Sequence, residues 1–180
     1  QFGLQTNSRR IPAAEQGIAE MMVNVYETWE KPLSHETLFA WYGALTQGRR
    51  DLAEAGRYRI HDEPMQVVSG PVHEPVIHFE APPSSRVKHE MDKFIQWFNA
   101  STPGQSIPVP ALARAGIAHL YFVSIHPFED GNGRIGRAIA EKSLAQCMGQ
   151  PTLLALAHTI ERNKKAYYAA LAQGSHDNEI

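Results

Sequence analysis

One short run concentrates residue types that do phosphorus chemistry: His126-Pro127-Phe128-Glu129-Asp130-Gly131-Asn132-Gly133-Arg134-Ile135-Gly136-Arg137. Gly131, Asn132 and Gly133 leave the backbone free to turn its N–H groups inward, as an anion-binding nest requires. The nest opens onto the first turn of a helix, where unpaired N–H groups and the helix dipole favour phosphate. Arg134 and Arg137 stand three residues apart and project from one side of that turn. Two cations there oppose the dipole, so an anionic ligand is what compensates them, and a polyphosphate meets that requirement. Asp130 offers the hard oxygen that Mg²⁺ prefers beside phosphates. His126 offers a base with a reference pKa near ~6.5, suited to proton transfer around neutral pH. The competing reading is a Gly-rich turn with solvated arginines and a capping Asp or Asn. It would hold for any one of these residues; it is the weaker account of all of them in one turn.

The elements that must position this run are mostly helical. Residues 110–125 carry Leu112, Ala115, Gly116, His119, Phe122 and Val123 at helical spacing, with Pro110 suited to the first turn and Pro127 marking the end. After the run, a helix starts near Asn132 and stops at Gly149, just before Pro151. Upstream, Val87, Met91, Phe94, Ile95 and Phe98 form the cleanest apolar stripe, over 84–99, with Ser84 or Ser85 as its cap. Ile18, Met21, Met22, Val25 and Trp29 share a face over 13–29, and Ser34 caps a helix carrying Leu38, Trp41, Tyr42 and Leu45. A last helix spans about 159–173 and carries Tyr167 and Tyr168, with Gly174 as its stop. The stretch 56–83 differs: Gln66-Val67-Val68 and Val76-Ile77-His78-Phe79 flank Ser69-Gly70-Pro71, which predicts a hairpin flap with exposed edges. The fold class is mainly α, a helical bundle with a small β-hairpin.

Composition bounds the rest. The chain has 180 residues with 17 Lys and Arg against 19 Asp and Glu, a net charge of −2, which argues against a general nucleic-acid binder. One cysteine, Cys147, excludes an internal disulfide and a four-cysteine zinc site. No apolar run approaches the ~20 residues that span a bilayer, and a cytoplasmic setting is the expectation. The chain opens at Gln1 without Met, so a piece of a longer chain is expected. Other motifs fail their context tests. Gly131-x-Gly133-x-x-Gly136 matches a dinucleotide fingerprint, but the segment before it is helical and Leu156 stands where an acidic residue belongs. His35-Glu36, His73-Glu74 and His89-Glu90 could each open a zinc-protease helix, but the fifth positions are Phe39, Ile77 and Lys93.

The twelve-residue run resembles the signature of the Fic family, H-x-F-x-(D/E)-G-N-G-R-x-x-R, at every specified position. With the flap, the preceding helix and the Tyr167-Tyr168 helix, the resemblance covers most of 36–175 of a single Fic domain. It implies a helical fold with a β-hairpin flap. The presence of both Gly131 and Gly133 resembles the nucleotidyl-transferring branch rather than the Doc-type kinase variant.

The implied activity is protein adenylylation, the transfer of AMP from ATP to a Ser, Thr or Tyr hydroxyl of a protein. On that resemblance His126 is the general base. Asp130 holds Mg²⁺, and Asn132 contacts the α-phosphate. The amides around Gly131 and Gly133, with Arg134, cradle the β-phosphate, and Arg137 reaches the γ-phosphate. Tyr167 lines the adenine site, with core packing as the alternative for that residue. Val68, Ser69 and Gly70 match the flap stretch that borders nucleotide and target, where a target strand could add to an exposed edge. Rival expectations at the same site are removal of AMP, transfer of UMP or phosphocholine, or a silent regulatory domain. Partners implied are a hydroxyl-bearing target protein, the protein itself as acceptor, a second copy in a homodimer, and an inhibitory helix or antitoxin. No nucleic acid or membrane partner is expected. The inhibitory pattern (S/T)-x-x-x-E-(G/N) finds only Ser175 with Glu179, followed by Ile180 where Gly or Asn belongs.

Overall fold

The computed structural model describes residues 12–47, 49, 56–69, 76–152 and 156–177. Its elements are α1 (Ala13–Glu27), α2 (His35–Leu45), β1 (Gln66–Ser69), β2 (Val76–Glu80), α3 (Ser84–Ala100), α4 (Ala111–Ile125), α5 (Asn132–Met148), α6 (Leu156–Arg162) and α7 (Lys164–Asp177). The mainly helical expectation holds. Among the described residues no helix is long and apolar enough to cross a membrane.

The frame of the site is the pair α4 and α5, which run in opposite directions. Arg114 near the start of α4 bonds Ser143 near the end of α5. At the other end, Gly136 lies so close to His119 and Val123 that a Cβ there would stand 2.9 Å from the His119 Nδ1. The apolar stripe of α3 closes over this pair: Val87, Met91, Phe94 and Phe98 are fully buried with Phe122, Phe128, Ile135 and Ile139. Each such side chain contributes about 1.5–3 kcal/mol on burial. From the other side α2 brings Leu38, Trp41, Tyr42 and Leu45, all buried, and the Ser34 side chain accepts the Thr37 N–H as an N-cap should. α1 crosses α2 at Gly17, where a Cβ would fall 1.9 Å from the Ala44 carbonyl oxygen.

β1 and β2 pair antiparallel, Gln66 with Glu80 and Ser69 with Val76, with a bulge between Val67 and Val68. Of the flap residues singled out in the sequence, Gly70 lies outside the described residues, as do Glu179 and Ile180 of the weak inhibitory match.

Four sequence expectations are corrected. Ile18 is exposed, because it is Gly17 that faces α2, while Met21 and Val25 are buried. Leu112 is exposed, since the inward face of the first turn of α4 is taken by Arg114 and Ala115. Neither Ser84 nor Ser85 caps α3; the N-cap is Pro83, without a side-chain bond, and the Ser84 hydroxyl donates instead to the His61 carbonyl at 2.6 Å. The C-terminal segment is two helices broken at Asn163, and α7 passes through Gly174 to Asp177. Gly174 is there for clearance: a Cβ would stand 2.8 Å from Leu120 on α4.

Candidate active site

The loop between α4 and α5 is built to project one imidazole. Pro127 disfavours helical backbone at the residue before it, so α4 ends at His126. His126 turns into the left-handed region, φ 50 and ψ 57, with its N–H still bonded to the Phe122 carbonyl at 3.2 Å. For a residue with a Cβ this conformation costs roughly 1–2 kcal/mol, which the surroundings must offset. Phe128 supplies part of that: it is fully buried and stacks on Tyr42 with ring centroids 4.4 Å apart. Asn132 closes the loop. Its side-chain oxygen accepts the Phe128 N–H at 3.0 Å and its amide donates to the Phe128 carbonyl at 2.7 Å. Gly131 makes the final turn at φ 79, a conformation that favours glycine.

The tautomer of His126 follows from its partner. Nδ1 lies 3.1 Å from the Val123 carbonyl, which can only accept, so Nδ1 carries the proton. In the neutral ring Nε2 therefore keeps its lone pair. Burial pushes the His126 pKa below the ordinary histidine value; the Val123 carbonyl opposes this, and the Arg59 guanidinium adds to it. The basic form thus predominates at neutral pH.

Charged groups gather at the start of α5. Gly131 N–H donates to Asp130 Oδ1 at 2.6 Å, and Oδ2 accepts from Arg134 at 3.0 Å and from Arg49 at 3.1 Å. Partial burial works to raise the Asp130 pKa, but the Gly131 N–H, Arg134 and Arg49 outweigh it, and the carboxyl sits below the usual carboxylate range. The N-cap, Gly131, makes no side-chain capping bond, so the first N–H groups of α5 are not taken up by a cap. A Cβ at Gly133 would meet Arg137 Nη1 at 3.5 Å, which places that guanidinium over the first turn. On α7, the Tyr167 hydroxyl is 2.6 Å from His119 Nε2, and the Arg137 charge acts on it.

His126, Asp130, Gly131, Gly133, Arg134 and Arg137 are therefore on one loop and one helical turn, with Tyr167 brought to the Arg137 side by α7. Asn132 is in the same turn but 3% exposed, with its amide committed to Phe128. Its carbonyl and amide shape the nest rather than face outward. Val68 and Ser69 are described as backbone of β1. Sequence reasoning missed Arg49, His119 and Arg59. Arg59 is 3% exposed and bonds the His126 carbonyl through Nε at 2.7 Å. No spacing rule signals an arginine whose partners are carbonyl groups.

The sequence profile of the Fic/DOC family matches residues 32–144, more than half of the chain. The chain belongs to the Fic/DOC family. The Fic profile ends inside α5, so α6 and α7 lie beyond it. The chain is 29% identical over 124 residues, 69% of its length, to protein adenylyltransferase fic-1 of Caenorhabditis elegans. It is 35% identical over 68 residues, 38% of its length, to protein adenylyltransferase Fic of Culex quinquefasciatus. It spans only 21% and 13% of those curated relatives. Its fold is similar to the crystal structure of a Fic family protein from Desulfovibrio desulfuricans G20, with TM-score 0.68 and 28% identity, covering 89% of this chain and 46% of that one. It is also similar to Fic-1 from C. elegans, with TM-score 0.67 and 21% identity, covering 92% of this chain and 44% of that one, a likeness of fold.

Proposed function

We propose that this Fic domain is a protein adenylyltransferase that moves AMP from ATP to a Ser, Thr or Tyr hydroxyl of a target protein. The observation that carries the reading is the pairing of an Nε2 held as acceptor with an uncapped, glycine-lined helix start a few residues away. His126 Nε2 takes the hydroxyl proton as the oxygen bonds to the α-phosphorus. The bond from that phosphorus to the α–β bridging oxygen breaks, and pyrophosphate leaves with the electron pair. The Gly131 N–H is taken by Asp130, so the first-turn amides around Gly133, with Arg134, hold the β-phosphate, and Arg137 holds the γ-phosphate. Such pre-aimed donors act without reorganising as charge develops.

The donor set fits Mg²⁺ bound beside phosphates. Asp130 is held ionised, and Mg²⁺ is commonly held by one or two carboxylates plus substrate phosphates and waters. Among the described residues no group of three or more His, Cys, Asp and Glu would hold a metal by itself. When bound, the ion neutralises charge on the phosphates; Asp130 is the residue that would hold it. Adenine falls on the Tyr167 side, and the target backbone lies along the flap.

Incubation with ATP labelled at the α- or the γ-phosphate, with the chain itself and a cell lysate as acceptors, tests the reading. Label on protein from α alone is expected, falling ~10²–10⁴-fold in His126→Ala. Label from γ alone makes the protein a kinase. No label from either, with His126→Ala equal to wild type, makes it a silent domain.

A further inference from the structure

Arg59 is buried, and among the described residues every hydrogen bond its side chain makes goes to a carbonyl or a hydroxyl. Its own N–H donates to the Pro127 carbonyl at 2.9 Å. Its Nε donates to the His126 carbonyl at 2.7 Å, and Nη2 reaches the Ile125 carbonyl at 3.4 Å. Three successive carbonyls, at the point where α4 gives way to the left-handed His126, are thus tied to one residue. These belong to the end of a helix, where unpaired carbonyls and the dipole favour a cation. The far side of the fork is anchored on the segment that leads from β2 to α3: Nη1 donates to Ser84 Oγ at 2.9 Å and Nη2 to the Pro82 carbonyl. Ser84 in turn is fixed by its bond to the His61 carbonyl.

We infer that Arg59 is the positioning residue of His126, gripping the backbone on both sides of the imidazole and holding Nε2 toward the nest. The inference rests on the proposed role of His126 as base. A planar fork is required, because the acceptors lie in several directions; a lysine carries the charge but cannot span them. Among the described residues none of the Arg59 hydrogen bonds goes to the charged groups at the start of α5, so it acts on the chemical step rather than on nucleotide binding. Its charge has a separate effect. Burial, the Val123 carbonyl and the Arg59 guanidinium together set the proton affinity of the ring. Removing the charge therefore raises the His126 pKa, whereas Arg59→Lys leaves that contribution in place.

The test uses the 180-residue chain with ATP labelled at the α-phosphate, and ¹⁵N spectra of the His126 ring. For Arg59→Lys we expect kcat to fall about 10²-fold with KM for ATP within twofold, since a misplaced base of this kind costs about that factor. The ring spectrum should change from the pure Nδ1–H tautomer to a mixture. For Arg59→Gln we expect the same loss together with an upward move of the acid limb of the pH profile and of the ring titration. If either variant does not fold, Ser84→Ala, which frees one end of the fork, should lower kcat several-fold with KM unchanged. Wild-type kcat together with an unchanged ring spectrum in folded variants overturns the inference, as does a loss confined to KM. If the wild type itself transfers no AMP, the proposed function fails while the ring spectra still decide whether Arg59 orients the imidazole.

Discussion

The two ends of the α4–α5 pair are both braced by cations, and the braces differ in kind. At the end away from the loop, Arg114 is fully buried, stacked over Phe98 at 4.4 Å, and bonded to Ser101, Ser143, the Phe98 carbonyl and Gln146. Beside it Lys142, 1% exposed, donates to the carbonyls of Thr28 and Trp29, where α1 has ended. At the loop end, Arg134 and Arg49 are part-exposed and pair with the equally part-exposed Asp130. The sealed cations satisfy fixed polar atoms and have no reason to let go. On the proposed function, the exposed ones hold a carboxylate that Mg²⁺ would take over, and would themselves be taken over by phosphate. Stability is concentrated at one end and exchangeable charge at the other, and the two sets should respond to substitution in opposite ways.

The largest expected effect is on chemistry at the exchangeable end. Asp130→Ala should lower AMP transfer by ~10²–10³-fold, the range for losing one preorganised charged group at a reacting phosphate. The urea midpoint should barely move, because Arg134 and Arg49 are part-exposed and their guanidinium groups can turn to water where the carboxylate stood. A substantial drop in stability would show that the Asp130 cluster is structural, and the contrast between the two ends would disappear. The next effect belongs to the sealed end. Arg114→Met leaves Ser101, Ser143, Gln146 and the Phe98 carbonyl short of a donor, and should destabilise the domain by about 2–4 kcal/mol in urea unfolding. AMP transfer per folded molecule should stay as it was.

How far this division could be read from the sequence depends on the kind of bond involved. The loop was legible because its glycines, its Asn and its paired arginines carry chemistry at fixed spacing. The α3 stripe was legible because apolar side chains at helical period have one place to go. Arg59, Arg114 and Lys142 were not. Their partners are backbone carbonyls, neutral hydroxyls and, for Arg114, the Gln146 side-chain amide, groups that every segment offers, so no pattern of residue types marks them. Ser84 was misread for a related reason: it stands where a cap belongs, but a buried guanidinium and the His61 carbonyl compete for its hydroxyl. Gly174 was read as a stop because glycine ends helices more often than it lets two helices approach.

A third effect is smaller and depends on pH. Burial, with help from the Arg114 and Lys31 charges, pushes the Lys142 pKa down to about 8 from its ordinary 10.5. Between those values the unfolded chain holds a proton that the folded chain has shed, so stability rises with pH across that window. Below it, both states are charged and the burial penalty is present in full. Wild type should therefore gain roughly 2–2.5 kcal/mol between pH 7.5 and 10 relative to Lys142→Met, in which this contribution is absent. Equal pH slopes in the two proteins would mean that the Thr28 and Trp29 carbonyls fully compensate the charge.

The smallest effect calibrates the others. Lys88 is exposed and pairs along α3 with Asp92 at 3.0 Å, and Asp92 also accepts from His35 at 2.8 Å. Removing Lys88 leaves Asp92 its second partner and water, so Lys88→Ala should shift the unfolding free energy by less than about 0.5 kcal/mol, with that small change vanishing in high salt. This is the scale on which Asp130→Ala belongs if the loop carboxylate is exchangeable. The two variants, unfolded side by side in urea at low and high salt, should give matching small shifts, while only Asp130→Ala loses AMP transfer. A stability loss for Asp130→Ala that resembles Arg114→Met and persists in salt would place the loop carboxylate with the sealed cations instead.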